Sequence, residues 1–219
     1  IIDLCFESCT FINCGNLTNE TIIKIMNNDS TLKMIDCMIK FDNEINSSKV
    51  IDVSCSSVVI DNCEFQKSGT ILIDTSNFFN SSFQFTKNKV SLISQLFINI
   101  TKLTSCPLID NNHFHDISIS NSSFISIVHF LNEIEFKNNT FESIKNDRFD
   151  SFCFVIEHFN HNCSTIIFSQ CTFVDNENNR SSDSIFCMGG AFQFGFDLRT
   201  ENCSVNFLNC EFNRNTCFN

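Results

Sequence analysis

The sequence predicts an all-β fold, a parallel β-helix (a pectin-lyase-like solenoid) of about eight coils, right-handed by the general preference for right-handed crossovers and by a resemblance given below. Three observations predict it. An eight-residue pattern recurs eight times, with the form apolar-x-apolar, a two-residue interruption, Cys or Asn, any residue, apolar. The second residue of the interruption is Asn in four copies and Asp in one. The aromatic content is 27 Phe with no Trp and no Tyr.

The copies are best seen in order. They are Leu4-x-Phe6 with Cys9-x-Phe11, Leu32-x-Met34 with Cys37-x-Ile39, and Val58-x-Ile60 with Cys63-x-Phe65. Next come Phe83-x-Phe85 with Asn88-x-Val90, Pro107-x-Ile109 with Asn112-x-Phe114, and Ile134-x-Phe136 with Asn139-x-Phe141. The last two are Ile166-x-Phe168 with Cys171-x-Phe173 and Val205-x-Phe207 with Cys210-x-Phe212. The Cys/Asn position therefore falls at 9, 37, 63, 88, 112, 139, 171 and 210.

Apolar residues two apart point to one face of a strand. The interruption resets that phase, as a bend must if both flanking strands are to face inward. The second bend residue is Ser8, Asp36, Asn62, Lys87, Asn111, Asn138, Gln170 or Asn209. Asn and Asp tolerate the left-handed region better than most side chains, and the chain has only 5 Gly to use instead. The following Cys or Asn then points into the core. Asn can bond the backbone of the same position one coil away, whereas Cys is expected to fill that space without needing a partner. Phe without Tyr fits rings wholly inside, where a phenol oxygen would need a hydrogen bond.

The steps between copies are 28, 26, 25, 24, 27, 32 and 39 residues. A period of about 25 with strand-rich coils fits three short strands per coil. Leucine-rich repeats have a similar period but require a regular Leu ladder. The stretch Thr21–Met34 has Ile22, Ile25 and Met26 at helical spacing, yet its β-branched and Asn-rich composition reads as strand plus turn. The two long steps predict loops at Lys145–Ser151 and Asp175–Ser184. A ninth match, Ile117-x-Ile119 with Ser122 and Phe124, lies too close to Asn112 to be the same corner of a new coil. It is either a second corner or chance.

Domain organisation follows from the repeat. Residues 1–219 read as a single β-helix segment, expected to be an excerpt of a longer repeat protein. Net charge is -11 and no Lys/Arg cluster occurs, so nucleic acid is not an expected partner. Neither a signal peptide nor a transmembrane run is visible. Eleven Asn-x-Ser/Thr acceptors, at Asn16, Asn19, Asn28, Asn46, Asn80, Asn99, Asn121, Asn138, Asn162, Asn179 and Asn202, lean toward the secretory route.

The 14 Cys are read mainly as buried free thiols. Thiols in the same position of adjacent coils would lie about 5 Å apart, so bridges between them are open but not required. Cys5, Cys9 and Cys14 lack an obvious fourth ligand for a metal. Cys203 and Cys217 flank the repeat position Cys210, and a terminal bridge between them stays open. His113 and His115 flank Phe114 and should face outward as surface histidines, while His158 and His161 sit in a polar turn with Glu157. No cofactor, metal or catalytic residue is expected. Asp36 and Asp61 occupy the bend on neighbouring coils, one position apart in register, and could approach each other, with no Arg or Lys companion evident. A carbohydrate-processing β-helix enzyme is the alternative reading, and it requires such clustered carboxylates.

Two local features resemble the chlamydial polymorphic outer-membrane proteins and related protist surface proteins, which carry Gly-Gly-Ala-aliphatic and Phe-x-x-Asn repeats on a right-handed β-helix. Gly189-Gly190-Ala191-Phe192 looks like the first motif. Phe85/Asn88, Phe136/Asn139, Phe173/Asn176 and Phe212/Asn215 look like the second, with Phe11/Cys14 a variant. The resemblance implies a surface-displayed, adhesin-like module at the cell surface or secreted. Its expected partner is another protein or a glycan, and it would reach a membrane only through a segment outside this chain.

Overall fold

The computed structural model describes residues 3–14, 21–26, 29–41, 49–67, 70–74, 82–91, 96–99, 107–119, 125–128, 133–146, 154–157, 164–179, 186–188, 192–196 and 203–218. They form a parallel β-solenoid of eight stacked coils, with no helix among the described residues.

The first coil supplies β1 (Asp3–Glu7), β2 (Thr10–Ile12) and β3 (Ile23–Met26). The second supplies β4 (Thr31–Ile35), β5 (Met38–Lys40) and β6 (Lys49–Ser54), and the third β7 (Ser57–Asp61), β8 (Glu64–Gln66) and β9 (Thr70–Asp74). The fourth holds β10 (Ser82–Thr86), β11 (Lys89–Ser91) and β12 (Leu96–Asn99), and the fifth β13 (Leu108–Asp110), β14 (His113–Ile119) and β15 (Ile125–Val128). The sixth has β16 (Glu133–Lys137), β17 (Thr140–Asn146) and β18 (Phe154–Glu157). The seventh has β19 (Ser164–Ser169), β20 (Thr172–Val174), β21 (Glu177–Asn179), β22 (Phe186–Met188) and β23 (Phe192–Phe196). The eighth ends with β24 (Cys203–Leu208), β25 (Glu211–Asn213) and β26 (Thr216–Phe218).

The first sheet stacks β1-β4-β7-β10-β13-β16-β19-β24, one strand from each coil. The second follows the same order with β2-β5-β8-β11-β14-β17-β20-β25, and β21 and β26 extend it. The third face is two separate four-stranded sheets, β3-β6-β9-β12 and β15-β18-β23-β22. Register is kept by the inward residues. Phe6 pairs with Met34, Ile60 with Phe85, and Phe136 with Phe168. A slip of one residue would turn every one of them outward.

The rings stack along the axis as their spacing requires. Phe114, Phe141, Phe173 and Phe212 run in one column with centroids 5.2, 5.1 and 4.8 Å apart. Phe136, Phe168 and Phe207 run in another at 4.9 and 5.1 Å. Each such pair adds about 0.5–1.5 kcal/mol beyond the burial of its rings.

Of the stretch Thr21–Met34, Ile23–Met26 and Thr31–Met34 are strand and Asp29 is a turn residue, as its composition implies, with Ile25 buried and Met26 outside on β3; Asn27 and Asn28 lie outside the described residues. The loop expectations need correction. Lys145 and Asn146 belong to β17, and Glu177–Asn179 form β21, with Lys145 paired to Glu177 and Asn146 to Asn178. Polarity misled here, because an outward-facing strand residue on a solenoid can be charged at no cost to the core. Residues 147–151 and 180–184 lie outside the described residues. The longest step instead carries β22, which pairs antiparallel with β23 and is the one antiparallel pairing among the described strands.

Candidate functional site

The corners concentrate the polar groups that the fold must bury. All eight predicted bend residues have positive φ, between 52° and 58°: Ser8, Asp36, Asn62, Lys87, Asn111, Asn138, Gln170 and Asn209. In this conformation the bend N–H points along the axis and donates to the next coil, as Asn62 does to the Thr86 carbonyl at 2.9 Å. The carbonyl of the following Cys or Asn accepts from the same neighbour, as Cys63 does from the Lys89 N–H at 2.9 Å.

The predicted inward ladder is present, and its chemistry is specific. Asn88, Asn112 and Asn139 are buried on consecutive coils. The Asn88 N–H donates to Asn112 Oδ1 at 2.9 Å, and the Asn112 N–H to Asn139 Oδ1 at 2.9 Å. The Asn112 amide donates to the Phe85 carbonyl at 2.7 Å and to Asn139 Oδ1 at 2.9 Å. Asn88 and Asn139 donate likewise to the Ile60 and Ile109 carbonyls.

The expectation that Cys needs no partner is overturned. The thiols of Cys37, Cys171 and Cys210 reach the carbonyls of Phe6, Phe136 and Phe168 at 3.4, 3.2 and 3.2 Å, and share their one hydrogen with the carbonyls two residues back, Ile35, Ser169 and Leu208, at 3.2, 3.5 and 3.6 Å. The first three are the carbonyls an Asn amide takes from the same position. The sulfur also receives the neighbouring N–H, from Cys37 at Cys63 and from Asn139 at Cys171. Cys and Asn exchange at this position because each offers one donor and one acceptor in the same directions. Cys9 heads the ladder and is only half-buried, its thiol turned to the Glu7 carbonyl at 3.4 Å. Burial pushes the thiols of Cys63 and Cys171 up to about 12 and that of Cys55 to about 11. Cys5, Cys9, Cys14, Cys37, Cys55, Cys63, Cys171 and Cys210 are free thiols, which agrees with the main reading for the ladder cysteines among them.

A second corner recurs along the stack, where the sequence raises one only as an explanation of a single match. Asn13, Lys67, Asp116, Ser143, Asp175 and Arg214 also have positive φ. Each lies four residues after a ladder position, so a second inward position falls five residues after it. Asn176 and Asn215 occupy it in the last two coils. The Ile144 N–H donates to Asn176 Oδ1 at 2.9 Å, and Asn176 Nδ2 donates to the Phe141 carbonyl and to Asn215 Oδ1 at 3.1 and 2.9 Å. The Phe-x-x-Asn motifs thus mark two different corners, with Phe173/Asn176 and Phe212/Asn215 at the second. The ninth match places its bend at residues 120–121, which lie outside the described residues together with Ser122 and Phe124, while Asp116 makes the turn before Ile117.

The outer faces carry charge, and that charge is used between coils. Asp36 and Asp61 do not form an isolated carboxylate pair. Asp36 accepts from Asn62 Nδ2 at 2.6 Å, and Asp61 accepts from Thr86 Oγ1 at 2.5 Å with Lys87 Nζ at 3.7 Å, so the expectation of no basic companion is wrong for Asp61. Asp61 sits one position before the bend, opposite Ile35, because the register sets the two carboxylates off by one. His113 and His115 do face outward. His113 Nε2 lies 2.9 Å from Glu142, and His115 Nδ1 lies 2.9 Å from Asp116. At the second corner Arg214 grips Asp175 with two 2.6 Å bonds, which hold the Asp175 carboxyl below its ordinary range. Lys145 and Glu177 pair at 3.3 Å.

Among the described residues, no three His, Cys, Asp or Glu side chains are grouped so as to hold a metal ion. Of the glycan acceptors, Asn138 is exposed on its bend, with Nδ2 donating to Asp110 at 3.0 Å. Asn99 and Asn179 lie within strands β12 and β21. Asn16, Asn19, Asn28, Asn46, Asn80, Asn121, Asn162 and Asn202 lie outside the described residues, as do His158, His161 and Gly189–Ala191. No protein-family model, curated protein or solved structure matches the chain.

Proposed function

We propose that the chain is a non-catalytic β-helical scaffold, adhesin-like and displayed at a cell surface or secreted, which presents its outer faces to a partner protein or glycan. The observation that carries this reading is how the outward polar groups are spent. Asp3 accepts from Thr31, Ser57 meets Ser82, Asp110 accepts from Asn138, Thr165 meets Ser204, and Asp175 holds Arg214. Each bond joins one coil to the next. Carboxylates committed to stacking serve a rigid wall, whereas a glycoside-cleaving site needs two of them turned toward one substrate bond.

The acidic charge of -11 keeps such a wall soluble and disfavours nucleic acid. The glycan acceptors and the resemblance to polymorphic outer-membrane proteins support exposure outside the cell. The chain, immobilised on beads, should capture a glycan or cell-surface protein saturably and leave oligogalacturonides uncut. Release of unsaturated or shortened sugar products, lost on substitution of Asp61, would instead favour the carbohydrate-processing enzyme.

A further inference from the structure

Strand β14 carries His113 and His115 on either side of Phe114. Phe114 is fully buried and stacks on Phe85 and Phe141, with centroids 6.2 and 5.2 Å away. Residues two apart on a strand share a face, so an inward Phe114 fixes both histidines outward. Bonds to the coils on both sides hold the strand in place. The His113 N–H donates to the Asn88 carbonyl, and the Thr140 N–H to the Asn112 carbonyl, both at 2.8 Å. The two imidazoles stand with ring centroids 4.6 Å apart.

A carboxylate orients each ring. Glu142 faces His113 Nε2 and Asp116 faces His115 Nδ1, both at 2.9 Å. A carboxylate only accepts, so in the neutral rings those nitrogens carry the protons. The lone pairs are then left on His113 Nδ1 and His115 Nε2. A histidine at a metal centre ordinarily gives one ring N–H to a carboxylate and turns its other nitrogen to the ion. Two imidazoles on one ion, with metal–nitrogen bonds of about 2.0–2.1 Å, keep their ring centres roughly 5 Å apart. The pair already stands close to that separation. The ring planes are 34° apart and must open for both lone pairs to meet, a rotation that the broad χ2 torsion of histidine allows. Charge favours a cation. Lys89 lies opposite His113 in register and Glu142 opposite His115, so Glu142 and Asp116 outnumber the one nearby lysine.

We propose that His113 Nδ1 and His115 Nε2 form a two-nitrogen site for a divalent transition metal ion, of the zinc, copper or nickel class, on the outer face of the second sheet. Glu142 and Asp116 are positioning residues that hold the two tautomers. Water completes the coordination. Imidazole ligands select these ions over magnesium and calcium, which take oxygen ligands.

The test is a zinc titration of the 219-residue chain at about pH 7.5, above the ordinary titration of imidazole, followed by long-range proton–nitrogen NMR of the histidine rings. Without metal, His113 should carry its proton on Nε2 and His115 on Nδ1. Zinc should shift His113 Nδ1 and His115 Nε2 together and saturably, with one midpoint, and magnesium should shift neither. His113→Gln or His115→Gln should raise the zinc midpoint of the remaining ring at least about tenfold, because a second imidazole no longer holds the ion there. Glu142→Gln should raise the midpoint of both rings by about tenfold, which a purely structural role for Glu142 would not do. If a variant does not fold by circular dichroism, the wild-type nitrogen shifts decide alone. The opposite tautomers, zinc taken up with both rings unmoved, one ring shifting alone, or midpoints unchanged in the folded glutamine variants of the histidines would overturn the proposal.

Discussion

The ladder makes its sharpest demand at Asn112, which is 2% exposed and bonded in both axial directions. Leucine in its place keeps the branched shape and removes every side-chain bond. The Asn88 N–H then loses Asn112 Oδ1, and the Phe85 carbonyl loses the amide donor. Leaving a buried donor orphaned costs about 1–3 kcal/mol, and the carbonyl, which has a second lone pair, about 1 kcal/mol more. The added apolar burial offsets roughly 1 kcal/mol, so a net loss of about 1–3 kcal/mol is expected. Cysteine at 112 should behave differently. At Cys171 the thiol donates to Phe136 and its sulfur receives the Asn139 N–H, so Asn112→Cys should cost about 1 kcal/mol or less. Shape alone ranks the variants the other way.

The chain has no Trp or Tyr, so equilibrium urea unfolding followed by far-ultraviolet circular dichroism suits the comparison. Amide exchange at Asn88 gives a local reading. It should speed up about tenfold or more in Asn112→Leu and change little in Asn112→Cys. Equal urea stabilities for the two variants, or a Leu variant as stable as wild type, would refute the claim that this position is chosen for its hydrogen bonds.

Three further outcomes follow from the corners. Gln170 holds φ at 54° on an exposed bend, so Gln170→Asn should raise stability by about 0.5 kcal/mol and Gln170→Val lower it by about 1–2 kcal/mol in the same urea assay; the reverse order would remove the turn argument. Burial keeps the Cys55, Cys63 and Cys171 thiols protonated well above the ordinary value of 9.0, so between that value and about 11–12 the unfolded chain binds fewer protons than the folded one. Stability should therefore fall as pH rises through that window, and urea midpoints should fall less steeply in a Cys63→Ala, Cys171→Ala variant. Arg214→Gln should return the Asp175 carboxyl to its ordinary titration range in a carbon-13 NMR experiment, and an unmoved titration would mean that the bond to Arg214 is not what depresses it.

The first corner was legible because three signals coincide there. Inward residues two apart, a bend residue able to hold positive φ, and Cys or Asn at one fixed position repeat in all eight coils. The second corner offers only one such signal. Its bends mix Asn13, Asp116 and Asp175 with Lys67, Ser143 and Arg214, much as the first corner mixes Asn and Asp with Ser8, Lys87 and Gln170, but its inward position holds Cys14, Ile117, Ile144, Asn176 and Asn215 in different coils, so no fixed residue type marks it. A constant offset of five residues from the first ladder was the signal available, and it emerges only once the coils are aligned. The outward bonds were illegible for another reason. The aligned copies already put Asp36 and Asp61 one position apart, but that Asp61 meets Thr86 and Lys87 depends on side-chain reach across coils, which spacing does not encode.

The exchange of Asn and Cys also explains why the ladder has a direction. Each Asn Oδ1 accepts the N–H of the coil before it, and each Nδ2 reaches back to the carbonyl three residues ahead of that coil's own ladder position. Asn has a second amide hydrogen, so Asn88 passes one bond on to Asn112 and Asn112 one to Asn139. A thiol has a single hydrogen and spends it on carbonyls, so a Cys coil closes the amide run. The run from Asn88 to Asn139 is accordingly flanked by Cys63 and Cys171. A strand slipped by one residue would present an alternating outward side chain to this column and strand at least one buried N–H, at about 1–3 kcal/mol per coil. Apolar side chains alone would tolerate some of that slippage in a stack of near-identical coils. The amide run therefore supplies register where the Phe columns supply cohesion.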